Sequence, residues 1–311
     1  MIGESAAMQE IKTSISKVAA TDSNILITGE TGTGKELVAA LIHHNSRRWH
    51  KPLVCINSAA LPDSLLESEL FGYEKGAFTG ADSAREGQLQ RADRGTVFFD
   101  EIGDMSTYTQ AKILRAIESK EVRRLGGRDS HPLDLRILAA TNQNLERLMA
   151  EEKFRADLYF RLNVATIHLP PLRDRKEDLP ALCEHYIQEM NRQFGREVEG
   201  FTPEALAYLL RYEWPGNVRE LKNLIEAAFI DLPARRITFI DLPKQCRQWV
   251  RDAAGLSQGE RNRLLSALFS THWNVSKAAQ QLHWSRMTLY RKMEKYRIVR
   301  RDETANDEVL I

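Results

Sequence analysis

From Gly29 to Glu36 the chain reads Gly-Glu-Thr-Gly-Thr-Gly-Lys-Glu. Three glycines followed by a lysine can bind phosphate. Glycines let backbone N–H groups curl around phosphate oxygens, a helix after the loop adds partial positive charge, and Lys35 would reach the outer phosphates. The general pattern ends in Ser or Thr, whose hydroxyl helps to hold Mg2+. Glu36 stands there instead, so the loop needs support from elsewhere in the chain. The competing reading is a Gly-rich turn with no ligand. A lysine directly after the third glycine has no packing reason to be there.

Support comes about sixty-five residues later, where Thr96-Val97-Phe98-Phe99 runs into Asp100-Glu101. A strand parallel to the first would deliver Asp100 beside Lys35, where it can hold Mg2+ through water, and Glu101 would orient and polarise an attacking water. A third apolar run, Leu135 to Ala140, ends in Thr141-Asn142. Polar residues at the carboxyl end of a central strand lie where α/β sheets bind ligands. Asn142 also suits a helix cap, and both roles can hold together.

Other residues are less specific. Arg155 and Arg161 carry the fixed charge and planar fork that phosphate recognition uses, although a single arginine more often makes surface salt bridges. Arg219 falls in the first turn of a helix opened by Trp214-Pro215-Gly216-Asn217, where its charge opposes the helix dipole; that makes it a candidate for an incoming anion. Asn57 ends a second short strand and reads as a cap for the next turn. Gly76-Ala77-Phe78-Thr79-Gly80-Ala81 interrupts a helical pattern. Phe78 there either projects from a loop tip or tucks into the core, and chemistry alone does not choose.

The elements that must position these residues can be read from the pattern. Asn24–Thr28 reads as a buried strand before the phosphate loop and Leu37–Ile42 as a helix after it. Ala7–Ala20, Asp63–Leu70 and Gln110–Ser119 read as helices, and Val122–Gly127 as a hairpin turn. Pro170-Pro171 marks a boundary. These signals predict an α/β nucleotide-binding part over 1–172, a helical part over 173–231 in about four segments, a linker over 232–256, and a small all-α unit over 257–311. In the last, Asn274 and Ser285 read as helix caps. Leu289, Met293 and Tyr296 should face inward, while Thr288, Arg291, Lys292 and Lys295 form a basic outer face. Two helices joined by a short turn, the second basic, point to a DNA-binding helix-turn-helix.

Composition bounds the rest. With 311 residues, 42% apolar and 28% charged, the chain can bury a core in two or three domains. A formal net charge of +1 means that any nucleic-acid site must be local. Three distant cysteines fit reduced thiols in a cytosolic protein, and no apolar run has membrane-spanning length. Met1 stands almost at a domain edge, so it reads either as a true start or as the start of a fragment.

Taken together, these residues resemble the bacterial enhancer-binding proteins, the AAA+ activators of sigma-54 RNA polymerase, over essentially the whole length. Gly29–Glu36 is similar to that family's form of the Walker A loop, including Glu36, and Asp100-Glu101 to its Walker B. Gly76–Ala81 resembles the signature loop that contacts sigma-54, which favours the projecting reading of Phe78. The resemblance implies a switch pair in Glu101 and Asn57, a first sensor in Thr141-Asn142, and a second sensor in Arg219. It implies that Arg155 and Arg161 are offered to a neighbouring subunit's nucleotide. The C-terminal unit resembles the Fis-type helix-turn-helix, with Ser285, Arg286, Thr288, Arg291, Lys292 and Lys295 towards DNA. No residues match the regulatory domain that many members carry ahead of the ATPase.

The same resemblance implies a bacterial cytoplasmic, nucleoid-associated ATPase using ATP and Mg2+. It would assemble from dimers into a ring of six or seven, bind upstream enhancer DNA, and remodel the closed complex of sigma-54 holoenzyme, with no membrane partner. Two competing readings are a repressor with a vestigial nucleotide domain and an AAA+ remodeller of other substrates. The intact Glu101 argues against the first and the signature loop against the second.

Overall fold

Five parallel strands form the main sheet of the computed structural model, in the order Leu53–Asn57, Thr96–Asp100, Arg136–Thr141, Ile25–Gly29, Ala165–Leu169. Every residue of Arg136–Thr141 is buried, as are four of five in both Ile25–Gly29 and Thr96–Asp100. Strands covered on both faces read as continuous apolar runs, which is why these three were plain in the sequence. Successive side chains enter opposite cores. Phe98, Leu138 and Ala140 pack with the helices Ala6–Ala19 and Lys35–His44. Val97, Phe99, Ile137 and Ala139 pack with Asp63–Phe71 and Thr107–Ser119. The structure describes residues 1–230, 235–238, 241–242, 264, 267–268, 271, 274–282, 284–295 and 298, without the side chains of 294 and 295.

The strand order places Arg136–Thr141 at the centre of the sheet. Asp100 does reach the phosphate loop from a parallel strand, but Arg136–Thr141 lies between the two. The chain crosses from Ile25–Gly29 to the far edge, steps back through Thr96–Asp100, and fills the gap before Ala165–Leu169 adds the opposite edge. Thr141-Asn142 therefore ends midway between loop and acids, at the crevice where the sheet's connections reverse. Inserting that strand buries Arg136 completely; its guanidinium donates to the carbonyls of Val18, Ala19 and Ser23, closing the C-terminus of Ala6–Ala19.

Two compact units divide the chain, Met1–Ile237 and Thr238–Ile311. In the first, the stretch expected to hold about four helical segments has three α-helices, Leu179–Phe194, Pro203–Arg211 and Asn217–Ile230. Gly195, at φ 63°, ends the first of them. Gly200–Phe201 then pairs with Arg236–Ile237, so the start of the expected linker belongs to this unit. Two small hairpins stand apart from the main sheet, Gly72–Tyr73 with Arg85–Glu86 and Glu121–Arg123 with Ser130–Pro132. The second places its turn over 124–129 rather than Val122–Gly127.

In the second unit the helices Val275–Gln281 and Arg286–Lys295 pack with Leu264 and Leu268 around the buried Ala278, Ala279 and Leu289. Asn274 Oδ1 accepts the Lys277 N–H at 3.1 Å and Ser285 Oγ that of Thr288 at 3.1 Å, the caps the sequence announced. Tyr296 and most of the expected linker lie outside the described residues. Among the described residues no helix is long and apolar enough to cross a membrane.

Candidate functional site

Each glycine of the phosphate loop has its own reason. Gly29 has φ 152°, and a Cβ on it would sit 2.7 Å from the Leu169 carbonyl oxygen. A Cβ on Gly32, at φ 79°, would run into the Gly216 carbonyl. Gly34, at φ 106°, has open space around it and is needed only for its backbone conformation. It opens the helix Lys35–His44 with no side-chain cap, so the first N–H groups of that helix are left for an anion.

Lys35 is 6% exposed; its Nζ donates to the Gly29 carbonyl at 3.1 Å and lies 3.2 Å from Glu101 Oε1. Glu101 is held at φ 52°, an uncommon conformation for a residue with a side chain. Its second oxygen accepts the Asn142 N–H at 3.0 Å, and Asn142 Nδ2 donates to Thr31 Oγ1 at 2.8 Å. Lys35, Glu101, Asn142 and Thr31 thus form one chain of contacts across three strand ends. Asn142 is not the helix cap; Asn144 takes that role, accepting from Arg147. Thr141 Oγ1 accepts the Gln143 N–H at 3.0 Å. Asn57 keeps the turn-capping role, accepting the Ala59 N–H at 3.0 Å, and makes no described bond to Glu101.

Burial, and next Glu101, raise the pKa of Asp100, while Lys35 acts in the opposite sense. No cluster of three or more metal-ligating side chains occurs among the described residues. One carboxylate beside the phosphate loop nevertheless suits Mg2+, which takes one or two carboxylates and completes its shell from phosphate oxygens and water.

A cleft of about 640 Å³ joins Lys35, Asp100 and Glu101; Thr141 and Asn142 line a neighbouring one. Thr31 to Leu37, Asp100, Glu101 and Arg219 line the first, together with Met1, Ile2, Leu182 and Tyr186. Val218 and Arg219 donate their backbone N–H groups to the Gly32 carbonyl at 3.0 and 3.3 Å. The phosphate loop therefore caps the helix that carries Arg219.

Three residues that hold the phosphate loop were not picked out from the sequence. Asn217, fully buried at φ 52°, donates to Glu30 Oε2 and the Thr31 carbonyl and accepts the Leu172 N–H. Arg173 grips both oxygens of Glu30, at 2.6 and 2.9 Å; with Asn217, it holds that carboxyl below its usual range. Arg175, whose guanidinium is pushed down by burial, donates to the Thr33 carbonyl at 3.2 Å. Glu30 is thus in the loop with its carboxylate turned towards the helical part.

Arg155 immediately precedes the helix Ala156–Leu162 and Arg161 lies in its last turn; neither lines the cleft. Arg155 pairs with Asp157 at 2.7 Å, and Arg161 is exposed. Gln110, fully buried, fixes this helix by accepting the Arg155 N–H at 2.8 Å and donating to the Met105 and Lys153 carbonyls. Its signal was present in the sequence: a polar residue one turn before Ile113 and Leu114, on the apolar face.

The hexamer Gly76–Ala81 closes on itself through Gly76 N–H to Ala81 O at 2.9 Å and Ala81 N–H to Phe78 O at 3.1 Å. Ala81 is buried and Thr79 and Gly80 are exposed. Phe78, 47% exposed, meets the Tyr73 ring edge-on at 5.0 Å, so it projects while resting one side on its own hairpin. The neighbouring hairpin braces the loop through Glu74 N–H to Leu125 O at 3.0 Å and the Glu74–Arg124 pair at 3.1 Å.

In the second unit, Ser285, Arg286 and Arg291 are exposed, and Thr288 and Lys292 half-buried. Lys292 lies over the Trp284 ring at 4.9 Å. Lys295 belongs to the same helix, and its side chain lies outside the described residues.

Comparison with known proteins covers most of the chain. The chain matches the Sigma-54 interaction domain over 1–168, the AAA+ ATPase lid domain over 173–257, and the Fis family of bacterial regulatory proteins over 255–296. It is 46% identical to the transcriptional regulatory protein ZraR of Escherichia coli (strain K12), over 95% of this chain and 68% of that one. It is 42% identical to the transcriptional regulator NtrC of Salmonella typhimurium, over 94% and 69% of the two chains. The crystal structure of NtrX from Brucella abortus in complex with ATP superposes with a TM-score of 0.76 at 34% identity, over 96% and 70% of the two chains. The chain belongs to the sigma-54-dependent transcriptional activators, with an AAA+ ATP-binding domain, a helical lid and a Fis-type DNA-binding helix-turn-helix.

Proposed function

We propose that the protein assembles into a ring on upstream DNA and uses ATP hydrolysis to drive Gly76–Ala81 against sigma-54, remodelling the closed promoter complex. The observation that carries this reading is the loop itself. It presents Phe78 and Thr79 at an exposed tip, braced by a second hairpin, in the same unit as the ATP cleft. A braced tip can deliver a push that a free loop would dissipate.

Within the cleft, Lys35 and the N–H groups of the phosphate loop bind the triphosphate, and Asp100 would hold Mg2+. When bound, the ion neutralises charge on the phosphates. Glu101 orients and deprotonates the attacking water. It must first leave Lys35, so nucleotide binding and Glu101 release are coupled. Asn57, at the neighbouring strand end, is then its partner, and the exchange reports nucleotide state towards the loop. The apolar lining from Ile2, Leu182 and Tyr186 suits the base. The cleft of one chain is lined by neither Arg155 nor Arg161, which supports their use on a neighbour's nucleotide and hence a closed head-to-tail ring. The helix-turn-helix, through Arg286, Arg291 and their neighbours, tethers the ring near promoters in the bacterial nucleoid and raises its effective concentration.

Thr79→Ala tests the output. The variant should hydrolyse ATP within about twofold of the parent yet fail to form open complexes with sigma-54 holoenzyme. Normal transcription from a sigma-54 promoter would show that the tip has another role.

A further inference from the structure

The contacts around Glu30 form a latch that the nucleotide chemistry does not require. Glu30 belongs to the phosphate loop, Arg173 to the segment leaving the main sheet, and Asn217 to the start of the lid helix Asn217–Ile230. The Glu30 carboxylate takes three donors: Arg173 Nη2 at 2.6 Å, Arg173 Nη1 at 2.9 Å and Asn217 Nδ2 at 3.1 Å. Asn217 uses its remaining capacity on the Thr31 carbonyl at 3.0 Å and the Leu172 N–H at 2.7 Å. A carboxamide with its acceptor and two donations engaged, at a positive φ, has little freedom to take another position. Arg219 comes two residues later, with its own N–H on the Gly32 carbonyl. The distance from loop to Arg219 is thereby set by side chains that do not line the cleft, Arg173 and Asn217 among them.

We infer that Glu30 is a positioning residue, which through Arg173 and Asn217 locks the lid helix to the phosphate loop and so holds Arg219 over the phosphates of bound ATP. This rests on the reading of Arg219 as a phosphate ligand. The loop and lid move as one body while the latch is closed. An arginine–carboxylate fork fixes direction as well as distance, so its loss loosens the aim of Arg219 without removing its charge. Because the lid grips ground state and transition state alike, the effect falls on KM more than on kcat.

A double-mutant cycle on the full chain tests this, with ATPase rates measured against MgATP concentration for E30Q, R219A and E30Q/R219A, alongside thermal melts. E30Q should raise KM about fivefold, the size expected of a half-exposed charged pair, with kcat within about twofold. In the R219A background E30Q should change KM by less than about 1.5-fold, because there is no longer an Arg219 to aim. R173K, which keeps the charge and loses the fork, should behave as E30Q does. If E30Q and R219A effects multiply while R219A alone raises KM, Glu30 acts on the loop itself and the latch is wrong, although Arg219 remains a ligand. If R219A leaves KM unchanged, the assignment of Arg219 fails, and the latch with it.

Discussion

Asp100 illustrates a conflict at the residue scale between folding and binding. Burial, followed by the nearby Glu101, raises its pKa. A carboxyl group whose folded value lies above its unfolded value loses folding stability as pH rises from the unfolded range, about 3.9, through the folded value, and the penalty persists above it. Asp100→Asn removes the titration. In melts without nucleotide, the variant should unfold at a higher temperature than the parent at neutral pH, and the difference should shrink as pH falls towards about 4. Its ATPase should meanwhile fall by at least about a hundredfold if Asp100 holds Mg2+ as proposed. A variant that melts lower than the parent at neutral pH would mean that the attraction of Lys35 for Asp100 outweighs its desolvation. Glu101 makes the same point in backbone terms: a residue at φ 52° between Lys35 and Asn142 is poised to exchange partners.

At the scale of elements, the helix Ala156–Leu162 depends on a neighbour in the core. Gln110 ties the entry of this helix to Thr107–Ser119, accepting the Arg155 N–H and donating to the Lys153 and Met105 carbonyls, bonds that no apolar side chain can replace. Gln110→Ala should lower unfolding free energy by about 2–3 kcal/mol, from the buried groups left without partners. It should also lower the ATPase rate of the assembled protein, because Arg155 loses its anchor, while ATP affinity of the dilute subunit stays the same. Equilibrium denaturation and nucleotide titration separate the two effects; a drop in dilute affinity would place the damage in the cleft instead. Such elements differ in how well the sequence announced them. The phosphate loop, Asp100-Glu101 and both helix caps in the second unit depend on neighbours a few residues away, so pattern and spacing sufficed. Gln110 could have been found as a polar residue on an apolar face. Glu30–Arg173 spans 143 residues, and nothing local distinguishes either from a surface charge. The position of Arg136–Thr141 between loop and acids was hidden for a similar reason: strand order belongs to the crossovers, and a buried strand reads the same wherever it is inserted.

For the whole molecule, the central claim is that catalysis needs two chains. One chain supplies Lys35, Asp100, Glu101 and Arg219 around a single cleft, while Arg155 and Arg161 sit on a helix outside it. A head-to-tail interface that closes into a ring brings the two sets together at every junction. Mixing two disabled variants tests this most directly. Lys35→Ala lacks the phosphate-binding lysine but keeps its arginines; the double variant Arg155→Ala/Arg161→Ala lacks the arginines but keeps its cleft. Each alone should be inactive as an ATPase. Mixed in equal amounts under assembling conditions, about a quarter of the junctions pair an intact cleft with intact arginines, and ATPase activity should return to about that share of the parent rate. A mixture as inactive as its two components would contradict the shared site and the ring built on it.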